Sequence, residues 1–201
     1  LEVNLAPAAA EVTDGSDLRL MTANILAGRW GEDTNDAIPP VEQRVEIFAA
    51  VLANYTPDAV GLQETDHKWV EMLPVYLDIL KNEYGIEYTW LFSVWEDGKP
   101  NLTSILYRSD KLELTDSDCK DNSYWNAASY TYRLRVLAWA KLRVKADPSQ
   151  EFILLNTHWA WESPEWIAGS VQEETELVNQ LKAEHGVPIF CTGDFNSRQD
   201  S

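Results

Sequence analysis

Four short apolar runs in this chain each end in a polar, oxygen-bearing group. Residues 18–23 end in Asn24, residues 59–62 in Gln63-Glu64, residues 152–155 in Asn156-Thr157-His158, and residues 187–192 in Gly193-Asp194-Phe195-Asn196. Runs this short and this apolar, bounded by Gly, Pro and polar residues, read as buried strands. An amide or carboxylate at the end of a buried strand is tolerated only where it reaches water, a metal or a hydrogen-bond partner. Strand ends are also where open α/β layers gather their sites. Four such ends predict a sheet architecture whose polar residues converge on one place.

The sequence between these runs supplies the other elements. Pro39-Pro40 opens a helix in which Val45, Phe48, Ala49 and Leu52 form one apolar stripe at i, i+3, i+4 and i+7, with Pro57 beyond its end. Residues 67–84 are helical in composition, with a break or kink expected at Pro74. Strand-like runs follow at 87–94, 103–107, 112–115, 134–144 and 152–157. Ser163-Pro164 supplies the N-cap and first-turn proline of a further helix, with Ile167, Val171, Val178 and Leu181 on one face. The last strand is read at 188–192. Residues 1–17 form a tail or edge segment and 18–201 a single domain. Helices alternate with strands at both ends of the chain, and strands cluster in the middle. That order predicts an α/β class fold of two packed mixed sheets with helices outside, not one doubly wound parallel sheet.

At 201 residues and 45% hydrophobic composition, the chain is long enough to bury roughly 70% of its unfolded surface. Its 33 acidic against 16 basic side chains give a net charge of −17, which repels phosphate backbones and makes duplex DNA a poor ligand. No apolar run approaches the ~18 residues of a membrane-spanning helix. Two cysteines, Cys119 and Cys191, suggest neither a zinc knuckle nor a disulfide framework. The start at Leu1, with Ala6-Pro7-Ala8-Ala9-Ala10 after it, reads as the remnant of a longer precursor and is compatible with export. Compartment and oligomeric state are not legible.

The polar groups suit one chemistry. Glu64, Asp194, Asn24 and Asn196 are hard oxygen donors of the kind a Mg²⁺-like ion takes while keeping several waters. Such an ion polarises a phosphoryl oxygen and stabilises a leaving oxygen. Asp194 is suited to orienting and deprotonating a water, and His158 to hydrogen-bonding a phosphoryl oxygen as charge accumulates.

The segments Leu20-Met21-Thr22-Ala23-Asn24-Ile25, Val60-Gly61-Leu62-Gln63-Glu64-Thr65, Asn156-Thr157-His158 and Gly193-Asp194-Phe195-Asn196, in this order and at these separations, resemble the endonuclease/exonuclease/phosphatase superfamily. This DNase I-like group comprises metal-dependent nucleases, phosphodiesterases and phosphatases. The resemblance covers about residues 18–201 and implies a four-layered α/β sandwich. By it, Glu64 is the principal metal ligand with Asn24 beside it. Asp194 and Asn196 position the attacking water and the phosphate or metal, and His158 contacts the scissile phosphate. The implied cofactor is Mg²⁺ or Mn²⁺, and the implied substrate a phosphoester, small or single-stranded given the charge. The family pattern continues after Gly-Asp-Phe-Asn to a Ser-Asp-His segment that residues 197–201 do not contain. The expectation is a C-terminally incomplete sandwich with weak or no turnover from this chain alone.

Plainer readings stand beside these. In isolation Glu64 reads as a carboxylate capping the following helix, Asn24 as a turn cap, and His158 as a structural histidine. His67 and His185 read as surface helix residues, and Cys191 as a small buried filler. The run Glu173-Glu174-Thr175-Glu176 reads as a solvated helix face. Among nine tryptophans, Trp139 reads as core, while Trp159 and Trp161 are equally suited to core and to stacking on substrate. Arg133 and Arg135 read as surface ion-pair partners. The alternative function is a non-catalytic binding module on the same fold with aromatics lining a cleft. An aromatic-lined carbohydrate-binding domain comes third, since it gives no reason for the Glu64 and Asp194-Asn196 spacing.

Overall fold

A computed structural model of the chain describes residues 17–28, 38–94, 98–122, 136–160 and 163–197. The elements run β1 (Leu20–Asn24), α1 (Val41–Tyr55), β2 (Ala59–Gln63), α2 (His67–Tyr84), β3 (Tyr88–Leu91), β4 (Thr103–Arg108), β5 (Leu112–Asp121), β6 (Val136–Val144), β7 (Glu151–His158), α3 (Pro164–His185) and β8 (Ile189–Asp194). They form two four-stranded mixed sheets, ordered β1-β2-β4-β3 and β5-β6-β7-β8. β1 runs parallel to β2 and β7 parallel to β8, and the remaining pairs are antiparallel. Among the described residues no helix is long and apolar enough to cross a membrane.

Two-residue alternation sorts each strand between two cores. In β6, Val136, Ala138, Ala140 and Leu142 face the first sheet together with Phe152 and Leu154 of β7, and meet Ala59, Ile105 and Tyr107 there. Leu137, Trp139, Ile153 and Leu155 point the other way, onto Leu177 and Leu181 of α3. On the far side of the first sheet, Val60, Leu62 and Leu106 pack under Val45, Phe48 and Leu52 of α1 and Trp69, Leu73, Leu77 and Leu80 of α2. The result is the four-layered α/β sandwich of the DNase I-like fold: helices, sheet, sheet, helix.

Several boundaries depart from the sequence reading. α2 runs unbroken through Pro74. Pro74 is exposed, so its missing N–H and the carbonyl it would serve lie on the solvent side, while Trp69, Leu73, Leu77 and Leu80 anchor the opposite face. β5 extends to Asp121, past a register shift between Leu114 and Asp116, because its second half pairs with β6 as an edge strand. β8 reaches Asp194, two residues beyond the predicted end. On α3, Val171 is exposed, and the buried stripe is Gly169, Ser170, Glu174, Leu177 and Leu181. Ser163 caps this helix as expected, accepting from the Trp166 N–H at 3.2 Å.

Candidate functional site

The two parallel strand pairs face each other across the sandwich, with β1 packed on β8 and β2 on β7. Their carboxyl ends therefore open at one place. Asn24 closes β1, Glu64 follows the last residue of β2, His158 ends β7 and Asp194 ends β8. The Asn24 amide donates 2.9 Å bonds to Glu64 Oε1 and to Asp194 Oδ2, so the two carboxylates lie within the span of one NH₂ group. His158 Nε2 lies 3.6 Å from the same Asp194 oxygen, its side chain only 8% exposed. Glu64 Oε2 accepts from the Ala27 N–H at 3.0 Å, and Asn24 Oδ1 from the Leu26 N–H at 3.0 Å.

Beneath these groups the layer between the sheets turns from apolar to polar. Asn156 is fully buried and bonded at both ends of its amide. Its NH₂ donates to the Leu62 and Ser104 carbonyls at 2.9 and 2.8 Å, and its oxygen accepts from Gln63 Nε2 at 2.6 Å and Thr192 Oγ1 at 3.2 Å. Both amide protons and the oxygen thus have partners, the Thr192 hydroxyl sharing its single proton between Asn156 Oδ1 and the Leu155 carbonyl at 3.0 Å. This buried amide therefore locks the sheets in register without the cost of an unmet polar group. Gly61 makes the approach possible. A Cβ there would lie 2.2 Å from Thr192 Oγ1 and 2.4 Å from Asn156 Oδ1. Thr22 adds a tie between the sheets by accepting from the Gly193 N–H at 3.1 Å.

The wall on the β8 side is built around Trp159. Its N–H donates to the Asp194 carbonyl at 2.9 Å, its carbonyl accepts from Asn196 Nδ2 at 2.7 Å, and its ring stands edge-on to Phe195 at 4.8 Å. The Asn196 N–H returns to Asp194 Oδ1 at 3.0 Å. On the outer side the indole N–H donates to Glu174 Oε2 at 2.6 Å. Burial raises the Glu174 pKa, and the bonds from Trp159 and Cys191 offset part of that rise. Cys191 sits on the exposed edge strand as a residue, but its thiol lies against Glu174. Desolvation and that neighbouring carboxylate push its pKa up to about 11.

Three residues with left-handed backbone cluster at the site: Leu26 (φ 58), Glu64 (φ 67) and Asn196 (φ 45). Asn adopts this conformation readily, whereas Leu and Glu do so at a cost of order 1–3 kcal/mol each. Such strain persists only where surrounding bonds over-determine it.

The structure brings together all five residues singled out in the sequence, Asn24, Glu64, His158, Asp194 and Asn196. The Glu64 carboxylate turns to Ala27 and Asn24, and α2 has no side-chain cap bond. Asn24 caps its own turn and also ties the two carboxylates. One amide proton of Asn196 is taken by Trp159, which makes Asn196 a brace of its turn as well. Trp139 is core, and Trp159 is held between α3 and the Asp194 turn. His185 is not a free surface residue: its ring is tilted against Trp139 at 5.5 Å and lies 3.8 Å from Asp116. Cys191 is exposed and is not buried filler. Glu174 is the residue that sequence reasoning missed, since its acidic run reads as solvated. Its spacing three before Leu177 and seven before Leu181 was the signal that it lies on the buried stripe. Trp161, Arg133 and Arg135 lie outside the described residues.

Among the described residues no cluster of three or more His, Cys, Asp or Glu side chains is arranged around one point. The Glu64 and Asp194 carboxylates are oxygen donors of the kind that fits a hard ion retaining most of its waters, and not a soft or fully caged one. Asn24, expected as a second ligand, presents its NH₂ to them and turns its oxygen to the Leu26 N–H, so it holds the carboxylates in place and is not itself a donor here. The convergence of two like charges on one amide, beside a histidine, is also an arrangement that a cation relieves.

The chain is 28% identical over 164 residues to Protein angel of Drosophila melanogaster, covering 80% of this chain and 45% of that protein. It is 27% identical over 197 residues to Drosophila melanogaster Nocturnin, covering 92% of this chain and 29% of the relative. It thus spans less than half the length of either. A solved structure of the human Nocturnin catalytic domain with bound sulfate anion superposes with a TM-score of 0.67 at 20% identity, over 90% of this chain and 65% of that one. A model of the Endonuclease/Exonuclease/phosphatase family matches residues 21–201, and the chain belongs to that family.

Proposed function

We propose that this chain carries the carboxylate-bearing part of a divalent-metal-dependent phosphoester hydrolase, acting on a small or single-stranded substrate. The observation that carries this reading is the shared Asn24 amide, which holds the Glu64 and Asp194 carboxylates side by side with His158 at Asp194. Family membership supports hydrolysis of a phosphoester, and the net charge of −17 weighs against a long duplex.

Glu64 would be the principal ligand to Mg²⁺ or Mn²⁺, with the Asn24 NH₂ orienting its carboxylate. Such an ion, when bound there, would supply Lewis-acid polarisation of a phosphoryl oxygen and stabilisation of the leaving oxygen. Asp194 orients the attacking water and accepts its proton. His158 hydrogen-bonds a phosphoryl oxygen as negative charge builds, and its contact with Asp194 holds the ring in place. Asn196 keeps Asp194 aimed by bonding the other carboxylate oxygen through its N–H and by fixing its turn to Trp159. The test is Mn²⁺-dependent cleavage of bis-p-nitrophenyl phosphate, expected to fall at least 100-fold in Asp194→Asn and in His158→Ala. Mn²⁺ binding with turnover neither in this chain nor in a longer one that carries the Ser-Asp-His segment would favour the binding-module reading, and absence of both binding and turnover from the two proteins would overturn the proposal.

A further inference from the structure

Arg44 lies on α1, and nothing in the chemistry above uses it, yet its guanidinium is aimed at the backbone beside the site. Nη1 donates to the Ile25 carbonyl at 3.1 Å and, in a shorter bond, to the Leu26 carbonyl. Nη2 reaches the Ala27 carbonyl at 3.4 Å and Nε the Pro39 carbonyl at 3.1 Å. The guanidinium also lies 5.8 Å from the centre of the Trp69 ring. Trp69, buried in α2, donates its own N–H to the Leu26 carbonyl at 3.0 Å.

From these contacts we infer that Arg44, together with Trp69, is a positioning residue for the site, acting through the turn of residues 25–27. Two donors converge on the Leu26 carbonyl, in the residue held at φ 58. Unsupported, a leucine leaves that conformation. The two amides that follow from it are those that bond Asn24 Oδ1 and Glu64 Oε2. With its oxygen fixed by Leu26, Asn24 has its NH₂ turned to Glu64 and Asp194; with one oxygen fixed by Ala27, Glu64 has a set rotamer. Gly28 seats the turn on the start of α2, where a Cβ would come within 2.8 Å of Lys68 Cβ. A planar fork of five donors can serve three successive carbonyls, whereas an ammonium serves them as a single point. A lysine at position 44 keeps the charge and loses the clamp.

The inference rests on the reading of the site as a metal centre, and one of its readouts does not. Arg44→Lys and Trp69→Phe would be compared with the parent for Mn²⁺ affinity, for melting temperature and for exchange of the Ala27 amide measured by NMR. Expected for Arg44→Lys are an Ala27 amide exchanging at least tenfold faster, unchanged exchange at Val60 and Leu62, and Mn²⁺ binding weakened at least tenfold. Trp69→Phe should show the same pattern in smaller measure, and it carries the test if Arg44→Lys does not fold. A folded Arg44→Lys with parental Ala27 exchange, or with faster exchange but parental Mn²⁺ affinity, overturns the inference. If the parent itself binds no Mn²⁺, the metal reading fails separately. Positioning is then decided by the Asn24 side-chain amide resonances: a shift in Arg44→Lys supports it and parental resonances overturn it.

Discussion

Asn24 and Asp194 stand 170 positions apart in the chain and are joined by a 2.9 Å hydrogen bond. The same NH₂ group also holds Glu64, so one neutral side chain keeps two carboxylates adjacent. Hydrogen bonds to charged groups contribute about 1.5–3 kcal/mol when buried, and the exposure of Asn24 puts its stability contribution below that range. If the carboxylates hold a metal as proposed, its effect on the site is larger, because groups that orient metal ligands are worth about 10–100-fold in affinity. Asn24→Ala is therefore expected to weaken Mn²⁺ binding by about 10–100-fold with little change in melting temperature. Calorimetric titration and thermal denaturation of the variant measure the two effects separately.

A cation that binds only the folded chain stabilises it by mass action. At a concentration 100 times its Kd the gain is about 2.7 kcal/mol, or roughly 5–10 °C for a chain of this size. Mg²⁺ or Mn²⁺ should produce such a rise, EDTA should reverse it, and Glu64→Gln should abolish it. A rise of the same size in Glu64→Gln would place the ion away from Glu64.

The convergence of the four strand ends was legible because a polar group after an apolar run is costly unless it has a destination. What those groups bond to was not legible, since the partners come from distant parts of the chain. Gln63 and Asn156, 93 positions apart, each lie at the end of an apolar run, yet only the packed sheets reveal them as one buried seam. Glu174 was hidden by its charged neighbours, and Arg44 by the fact that its partners are the carbonyls of another loop. Pro74 shows local propensity yielding to tertiary packing, with its defect turned to solvent and the apolar face of α2 intact.

Gly61 is the point at which that seam is tightest. Gly61→Ala would drive a Cβ into Thr192 Oγ1 and Asn156 Oδ1 and force the sheets apart at the end that carries the site. Overpacking of this kind costs about 1–3 kcal/mol, and unpairing the buried amides adds a similar amount. A loss of about 2–6 kcal/mol is expected, read as a lower urea midpoint at unchanged slope. A midpoint within error of the parent would show that the seam yields easily.

Glu174 links the outer helix to the Asp194 turn, and its titration should appear in the stability of the fold. Burial raises its folded pKa above the ordinary 4.5, so between those two values the folded chain binds more protons than the unfolded one. The stability from this group is complete below 4.5 and is lost as pH rises through the raised folded value. Cys191 stays protonated across that interval, its pKa being pushed up to about 11. Glu174→Gln cannot ionise and still offers an oxygen to the Trp159 indole. It should therefore show a smaller loss of stability than the parent between pH 5 and pH 8, and be the more stable of the two at pH 8. Glu174→Leu removes the pH dependence too, but it leaves the indole N–H unmet at a cost of about 1–3 kcal/mol. Urea denaturation of the three proteins at both pH values separates the charge from the hydrogen bond. Equal pH slopes in the parent and Glu174→Gln would mean that Glu174 titrates in the folded chain as it does in the unfolded one.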